Sequence, residues 1–320
     1  MFRTTLVRRI KLTTLAFVLC GAGSAQAQRV HINLSQENFS AQALISGVSA
    51  TAAQCSQISQ AVWARASTGE QECIRYWAAG LPDSGAVARV LVYIPGDQLA
   101  FDTAEPGYSG RNPEVMQTSA NTMQSRTGVP FILLSRPGTF GSSGDHKQRR
   151  REPEPRLMSA ALDEIKSRHG VKEFVLVGLS GGGHIVASLL GWRQDIVCAV
   201  PTSSVSSPRL RWQRMGRDSD LTGFTDSHEP VDHLKPGSFH PQLRVFVLGD
   251  TRDSNVMWST QTPLADRLRE VGVETYILNG EGADAQRHYL GGSGQQVGAQ
   301  CLRDKPAPEI LELAVAGLKG

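Results

Sequence analysis

Beyond residue 80 the chain alternates short apolar runs with segments of helical period, and this rhythm restricts the fold more than any other feature. Residues 88–94 (ARVLVYI), 131–134, 174–177, 196–200, 244–248 (RVFVL) and 275–278 read as strands. Residues 113–126, 154–169, 182–192, 263–271 and 308–318 read as helices, with Leu157, Ala161 and Ile165 recurring at helical spacing. Apolar strands without strict alternation are buried on both faces, which a sheet achieves when helices cover both sides. The expectation is an α/β protein with a mostly parallel central sheet. Two stretches leave the rhythm. Residues 28–80 hold a strand-like segment at 29–33 and a helix expected around 51–65. Tyr76-Trp77, just before the turn Pro82-Asp83-Ser84-Gly85, is expected to begin an antiparallel hairpin into 88–94. Residues 205–242 are rich in Pro, Ser and Arg, and an irregular insert of that length reads as a lid or binding loop.

The N-terminus carries an address. Residues 1–27 contain Arg3, Arg8, Arg9 and Lys11 with no acid, then an apolar stretch from Leu12 to Cys20, then small residues ending in Ala25-Gln26-Ala27. This is the order of a secretory signal cleaved before Gln28, leaving a single domain over 28–320. The apolar run is too short to span a bilayer of about 30 Å. Arg8-Arg9 leaves twin-arginine export as the alternative to the general route, and Cys20 is a poor lipidation site after bulky Phe17-Val18-Leu19. The whole chain has 33 basic and 30 acidic residues, net +3; without the four leader cations it has 29 against 30, net −1. The basic bias therefore gives no reason to expect nucleic acid as a partner. The expected location is outside the cytosol, in the periplasm. Four cysteines survive cleavage, Cys55, Cys73, Cys198 and Cys301. They allow three pairings, of which Cys55–Cys73 is the local one, with buried thiols as the alternative. No Cys or His spacing suggests a metal site.

The chemistry centres on Gly178-Leu179-Ser180-Gly181-Gly182, which follows strand 174–177 and opens the helix at 182. A serine on a tight strand-to-helix turn has its hydroxyl presented above the sheet edge, at the positive end of the helix dipole, and needs tiny neighbours two before and two after. Gly-rich alternatives fail: Ser180 occupies the second Gly of a dinucleotide loop, and no Gly-Lys-Ser/Thr follows for a phosphate loop. A serine hydroxyl becomes a nucleophile when a histidine removes its proton and a carboxylate orients that histidine. Of eight histidines only His288 follows strand 244–248, and Asp253 lies just after that strand. The order Ser180, Asp253, His288 thus places each residue beyond the C-terminal end of its own strand, where ligands bind in open α/β sheets.

These residues resemble the α/β-hydrolase superfamily from about residue 85 to the C-terminus. A further likeness is Arg136-Pro137-Gly138-Thr139-Phe140-Gly141-Ser142-Ser143-Gly144 after strand 131–134, similar to a loop of esterase- and peptidase-like members. The resemblance implies an α/β-hydrolase fold with helices on both faces and a short lid over 205–242. It implies a Ser180–His288–Asp253 triad and an oxyanion hole from the N–H of Gly181 and, by position, of Asp97. Members often place the acid three residues after the Gly that ends the strand, here Arg252; Asp253 is one further on, and Asp250 is its rival. The family's oxyanion loop often reads His-Gly-Gly, where this chain has Ile94-Pro95-Gly96-Asp97-Gln98. The function implied is hydrolysis of a carboxylic ester through an acyl-enzyme, without metal or organic cofactor. Peptidase action on short peptides and a non-catalytic binding protein of the same fold are the alternatives.

Other candidates read as structural. His184, one turn beyond Ser180, is expected to pack rather than act as base. His228, His233 and His240, and the basic run Lys147, Arg149, Arg150, Arg151 with Arg156, are expected in solvated loops. For the basic run, a positive rim for acidic substrates is the alternative.

Overall fold

The computed structural model describes residues 39–82 and 85–317, with Met1; the leader at 1–27 and the strand-like 29–33 lie outside the described residues. Eight strands form one sheet: β1 Ala61–Arg65, β2 Gln71–Ala79, β3 Val87–Ile94, β4 Phe131–Leu134, β5 Val171–Leu179, β6 Ile196–Thr202, β7 Arg244–Gly249 and β8 Glu274–Asn279. Their order across the sheet is β1-β2-β4-β3-β5-β6-β7-β8. Only β1 with β2 and β2 with β4 are antiparallel; every pair from β4 to β8 is parallel.

Successive strand residues face opposite sides, so the register sorts the apolar residues into two layers. Val92 pairs with Ile132 on one side and Leu176 on the other, and all three belong to one core cluster. The next row, Phe131, Leu91 and Val175, belongs to the second. The first layer is covered by α4 (Pro153–His169), α5 (Gly181–Leu190) and α7 (Thr262–Glu270). The second is covered by α1 (Ala41–Ser46), α3 (Pro113–Thr127), α8 (Gly291–Leu302) and α9 (Ala307–Gly317). Local sequence sets the helix ends. Asn112 caps α3 by accepting from the Val115 N–H at 2.9 Å, Pro113 opens it, and Gly128 closes it at φ 63°. Leu157, Ala161 and Ile165 form the buried stripe of α4.

Two expectations change, and one helix carries no sequence signal. The helix around 51–65 shrinks to α2 (Ala52–Ser56), held by a Thr51/Gln54 capping box, and 61–65 is strand β1. The reason is a period-two pattern: Val62 and Ala64 are buried in the layer covered by α4 while β1 pairs with β2. Tyr76-Trp77 lies in β2 but does not form a hairpin with 88–94, because β4 stands between β2 and β3. All four residues of β4 are buried, and they gain strand partners on both sides in that slot. Finally α8 was not legible, since four of its twelve residues are glycine, each costing about 1 kcal/mol of helix propensity. Those glycines let the helix approach the sheet: a Cβ on Gly294 would meet Thr202, and one on Gly298 would meet Val177.

Disulfides join Cys55 to Cys73 and Cys198 to Cys301, tying α2 to β2 and β6 to α8. Residues 205–242 contain α6 (Pro208–Arg214) and a 3₁₀ turn at Pro230–His233, with Arg211, Asp220, His228 and Leu234 buried. No helix among the described residues is long and apolar enough to cross a membrane.

Candidate active site

Ser180 stands between β5 and α5 with φ 55° and ψ −116°, a conformation that side-chain-bearing residues rarely adopt. The turn closes because its flanks lack side chains. A Cβ on Gly178 would collide with the Gly182 carbonyl, and one on Gly182 with the carbonyls of Ile94 and Pro95. The Ser180 N–H donates to the Thr202 carbonyl at 2.9 Å, and the Ser180 carbonyl accepts from the N–H groups of His184 and Val205. Leu179 and Gly181 are buried while Ser180 is partly exposed, so its side chain is accessible at the head of the helix.

His288 lies in the loop between β8 and α8, and Asp253 in the turn after β7. The His288 Nδ1 is 2.7 Å from Asp253 Oδ2. The Asp253 Oδ1 accepts from the N–H groups of Asn255 and Val256, each at 2.8 Å, and Gln261 Nε2 lies 3.4 Å from Oδ2. Its carboxylate is therefore fixed on both oxygens. With Nδ1–H donated to a carboxylate, the basic nitrogen of the neutral ring is Nε2. Asp250, the rival carboxylate, is used elsewhere. It accepts from the N–H groups of Arg252 and Gly282 and pairs with the side chains of Arg252 and Arg287. Burial acts to raise its pKa, but these bonds hold it below the usual carboxylate range. No hydrogen bond joins Ser180 to the His288 ring. Instead the two are anchored to adjacent residues at the end of β6: Thr202 accepts from Ser180 N, and Ser203 Oγ donates to the His288 carbonyl at 2.6 Å.

Asp97, in the loop after β3, lies beside Gly181, and its carboxylate is the centre of a buried ion network. It accepts from Arg136 Nη1 at 2.8 Å, Arg149 Nε at 3.2 Å and Arg150 Nη1. Arg136 also grips Glu154 through Nε and Nη2, and Arg150 grips Asp220 the same way. Burial would raise the Asp97 carboxyl, but the guanidiniums of Arg150, Arg149 and Arg136 overcome it and hold it well below the usual range. Arg149 and Arg150, expected in a solvated loop, are 2% and 0% exposed. The sequence held no sign of this, because the carboxylates that pair with them, Asp97 and Asp220, come from two segments distant in the chain.

The histidines also differ from expectation. His184 is fully buried, as foreseen, and burial lowers it to about 4; its Nε2 is 2.9 Å from the His228 carbonyl. His228 is not solvated but buried. It stacks on His233 at 4.3 Å and packs on Trp192, and burial lowers it to about 3. His240 sits 3.4 Å from Glu173.

No family model and no curated protein matches the sequence. Among solved structures, the chain is similar to an acylaminoacyl peptidase at 13% identity and TM-score 0.51, covering 77% of this chain and 40% of that one. It is similar to prolyl oligopeptidase B of Galerina marginata at 15% identity and TM-score 0.51, covering 80% and 37%. An esterase of Pyrococcus furiosus aligns at 13% identity and TM-score 0.46, covering 73% and 87%. The chain spans about two fifths of the length of the two peptidases. Together with the mostly parallel eight-stranded sheet flanked by helices, the likenesses to the two peptidases identify the architecture: this chain has the α/β-hydrolase fold.

Proposed function

We propose that this protein is an exported serine hydrolase that cleaves a carboxylic ester through an acyl-enzyme intermediate. The observation that carries the reading is the 2.7 Å Asp253–His288 pair beside the sheet edge where the strained Ser180 turn stands. In this mechanism His288 Nε2 takes the Ser180 proton as Oγ bonds to the ester carbonyl carbon. Asp253 holds the ring in its tautomer and stabilises the imidazolium. The tetrahedral oxyanion is bound by the N–H of Gly181, which opens α5 and has no intrahelical acceptor, and by the N–H of Asp97. His288 then gives its proton to the departing alkoxide, and a water activated by the same nitrogen releases the acid. No step calls on a metal or organic cofactor. The same groups would attack a peptide, whose amine leaves less readily than an alkoxide. Export to the periplasm is supported by the leader-like residues 1–27 and by the two disulfides.

The test is a panel of short- and medium-chain aryl esters with Ser180→Ala as control. Loss of turnover by a factor on the order of 10⁶ in the variant is expected. An organophosphonate should add its mass to Ser180 in the unaltered protein alone. Equal turnover by both proteins overturns the assignment.

A further inference from the structure

Most buried arginines near the site are matched by a carboxylate, and one is not. Arg136 and Arg150 each hold two carboxylates, and Arg149 holds Asp97. Arg211, on α6, is 5% exposed, and its partners are neutral. Its Nε and Nη2 donate to the Asn255 carbonyl at 3.3 and 3.1 Å, and Nη2 to Asn255 Oδ1 at 2.9 Å. Among the described residues no carboxylate lies within ion-pair distance of it, and none accepts from Nη1. Removing a guanidinium from water costs several kcal/mol unless an anion compensates it. Burial, then the charge of Arg150, lower its pKa to about 10 against the more distant pull of Asp97, Asp220 and Asp253, so it stays cationic at neutral pH.

Its position connects it to the reacting groups from two directions. Asn255, which orients Arg211, donates its own N–H to Asp253 Oδ1, and Asp253 holds His288. From the other side, the Val205 N–H donates to the Ser180 carbonyl, and the chain passes directly through Ser207 into α6. Arg75 is also buried without a carboxylate, its guanidinium over the rings of Phe39 and Trp77 at 5.8 and 5.3 Å and its Nε and Nη1 without hydrogen-bond partners, but it stands on β2, separated by β4 and β3 from the strand that leads to Ser180.

We propose that Arg211 is the specificity residue of this site and binds a carboxylate carried by the substrate, so that the hydrolase prefers anionic esters or short peptides with a free C-terminus. This rests on the serine-hydrolase reading above. Nε and Nη2 are held by Asn255, so Nη1 is the group left to donate a charge-assisted hydrogen bond to a substrate carboxylate.

Three matched pairs distinguish the source of the carboxylate. For the acyl side the pair is mono-4-nitrophenyl adipate against 4-nitrophenyl hexanoate. For the leaving group it is 4-acetoxybenzoate against its methyl ester. For a peptide it is N-acetyl-dialanine against its amide. The unaltered protein is expected to favour the anionic member of at least one pair by tenfold or more in kcat/KM, chiefly through KM. Arg211→Gln should abolish that ratio, and Arg211→Lys should retain part of it. No preference in any pair, or an unchanged ratio in Arg211→Gln, overturns the proposal.

Calorimetric titration of adipate into the Ser180→Ala protein gives a second readout that needs no turnover. Binding that disappears in the Ser180→Ala/Arg211→Gln protein supports the site even if nothing is hydrolysed, in which case only the hydrolase reading falls. Hydrolysis of neutral esters with neither preference nor adipate binding rejects the anion site alone. Should Arg211→Gln fail to fold, the Arg211→Lys ratio decides, and an undiminished preference with unchanged salt dependence counts against the proposal.

Discussion

The carboxylate of Asp97 fills the space that a Cβ on Gly181 would occupy. The residue after Ser180 is thus glycine for a reason separate from turn geometry: three guanidiniums converge on the group pressed against it. Gly181→Ala should displace Asp97 and disturb the buried network, lowering both the melting temperature and ester turnover. A melting temperature equal to the parent's would show that the network yields freely at this point.

Asp97→Asn removes the charge and keeps the backbone. Breaking a buried ion pair typically costs about 3–5 kcal/mol, and Arg149 would be left without its carboxylate. Denaturant unfolding should reveal a loss of that order. The native carboxyl is held low, so its contribution is present above the unfolded pKa and fades as pH falls toward the folded value. The gap between parent and Asp97→Asn should therefore narrow in acid.

Asp253 and Asp250 are separable by substitution. Asp253→Asn disrupts the partner of His288 Nδ1, and a drop in kcat on the order of 10⁴ is expected with the fold intact. Asp250→Asn weakens the contacts with Arg252, Arg287 and the Gly282 N–H, so its effect should appear mainly in thermal stability. Kinetics in which only Asp250→Asn is crippled would reverse the assignment.

Glu229 supplies a pH signature. It is 6% exposed, accepts from the Arg209 N–H at 2.8 Å, and burial raises it to about 7. A raised carboxyl favours folding while protonated, so its stabilising contribution is complete below the unfolded value of 4.5 and is lost as pH rises to about 7. Glu229→Gln should flatten stability across that window and leave the protein up to about 3 kcal/mol more stable than the parent at pH 8. Parallel stability curves for the two proteins would refute this.

The two disulfides close loops of very different length, with sequence separations of 18 and 103. Chain entropy predicts about 3 kcal/mol for the short loop and about 4.7 kcal/mol for the long one. Replacing Cys198 and Cys301 by alanine should cost more stability than replacing Cys55 and Cys73. It should also reduce turnover, because Cys198–Cys301 anchors α8, the helix that follows the His288 loop. Equal losses in the two double variants would contradict the loop-length argument.

Apart from α8 and the short α6, the strands of the main sheet and the helices past residue 80 were legible because each buries an apolar run of its own. Ser180 was legible because Gly178 and Gly182 are local requirements of its turn. Asp253 and His288 could be listed from their order after β7 and β8, but their contact, and the diversion of Asp250 to two arginines, depend on how two loops cross above the sheet. The place of β2 and the helicity of α8 were set by neighbours distant in sequence. A local turn signal says nothing of β4 slipping between β2 and β3, and glycine-poor propensity cannot report the close approach of Gly298 to Val177. The basic run at 147–151 was the furthest from its sequence reading. Charge on a residue is a local property, whereas burial of the Arg149 and Arg150 charges is possible only where Asp97 and Asp220, from two distant segments, meet them, and that meeting is made by the tertiary fold alone.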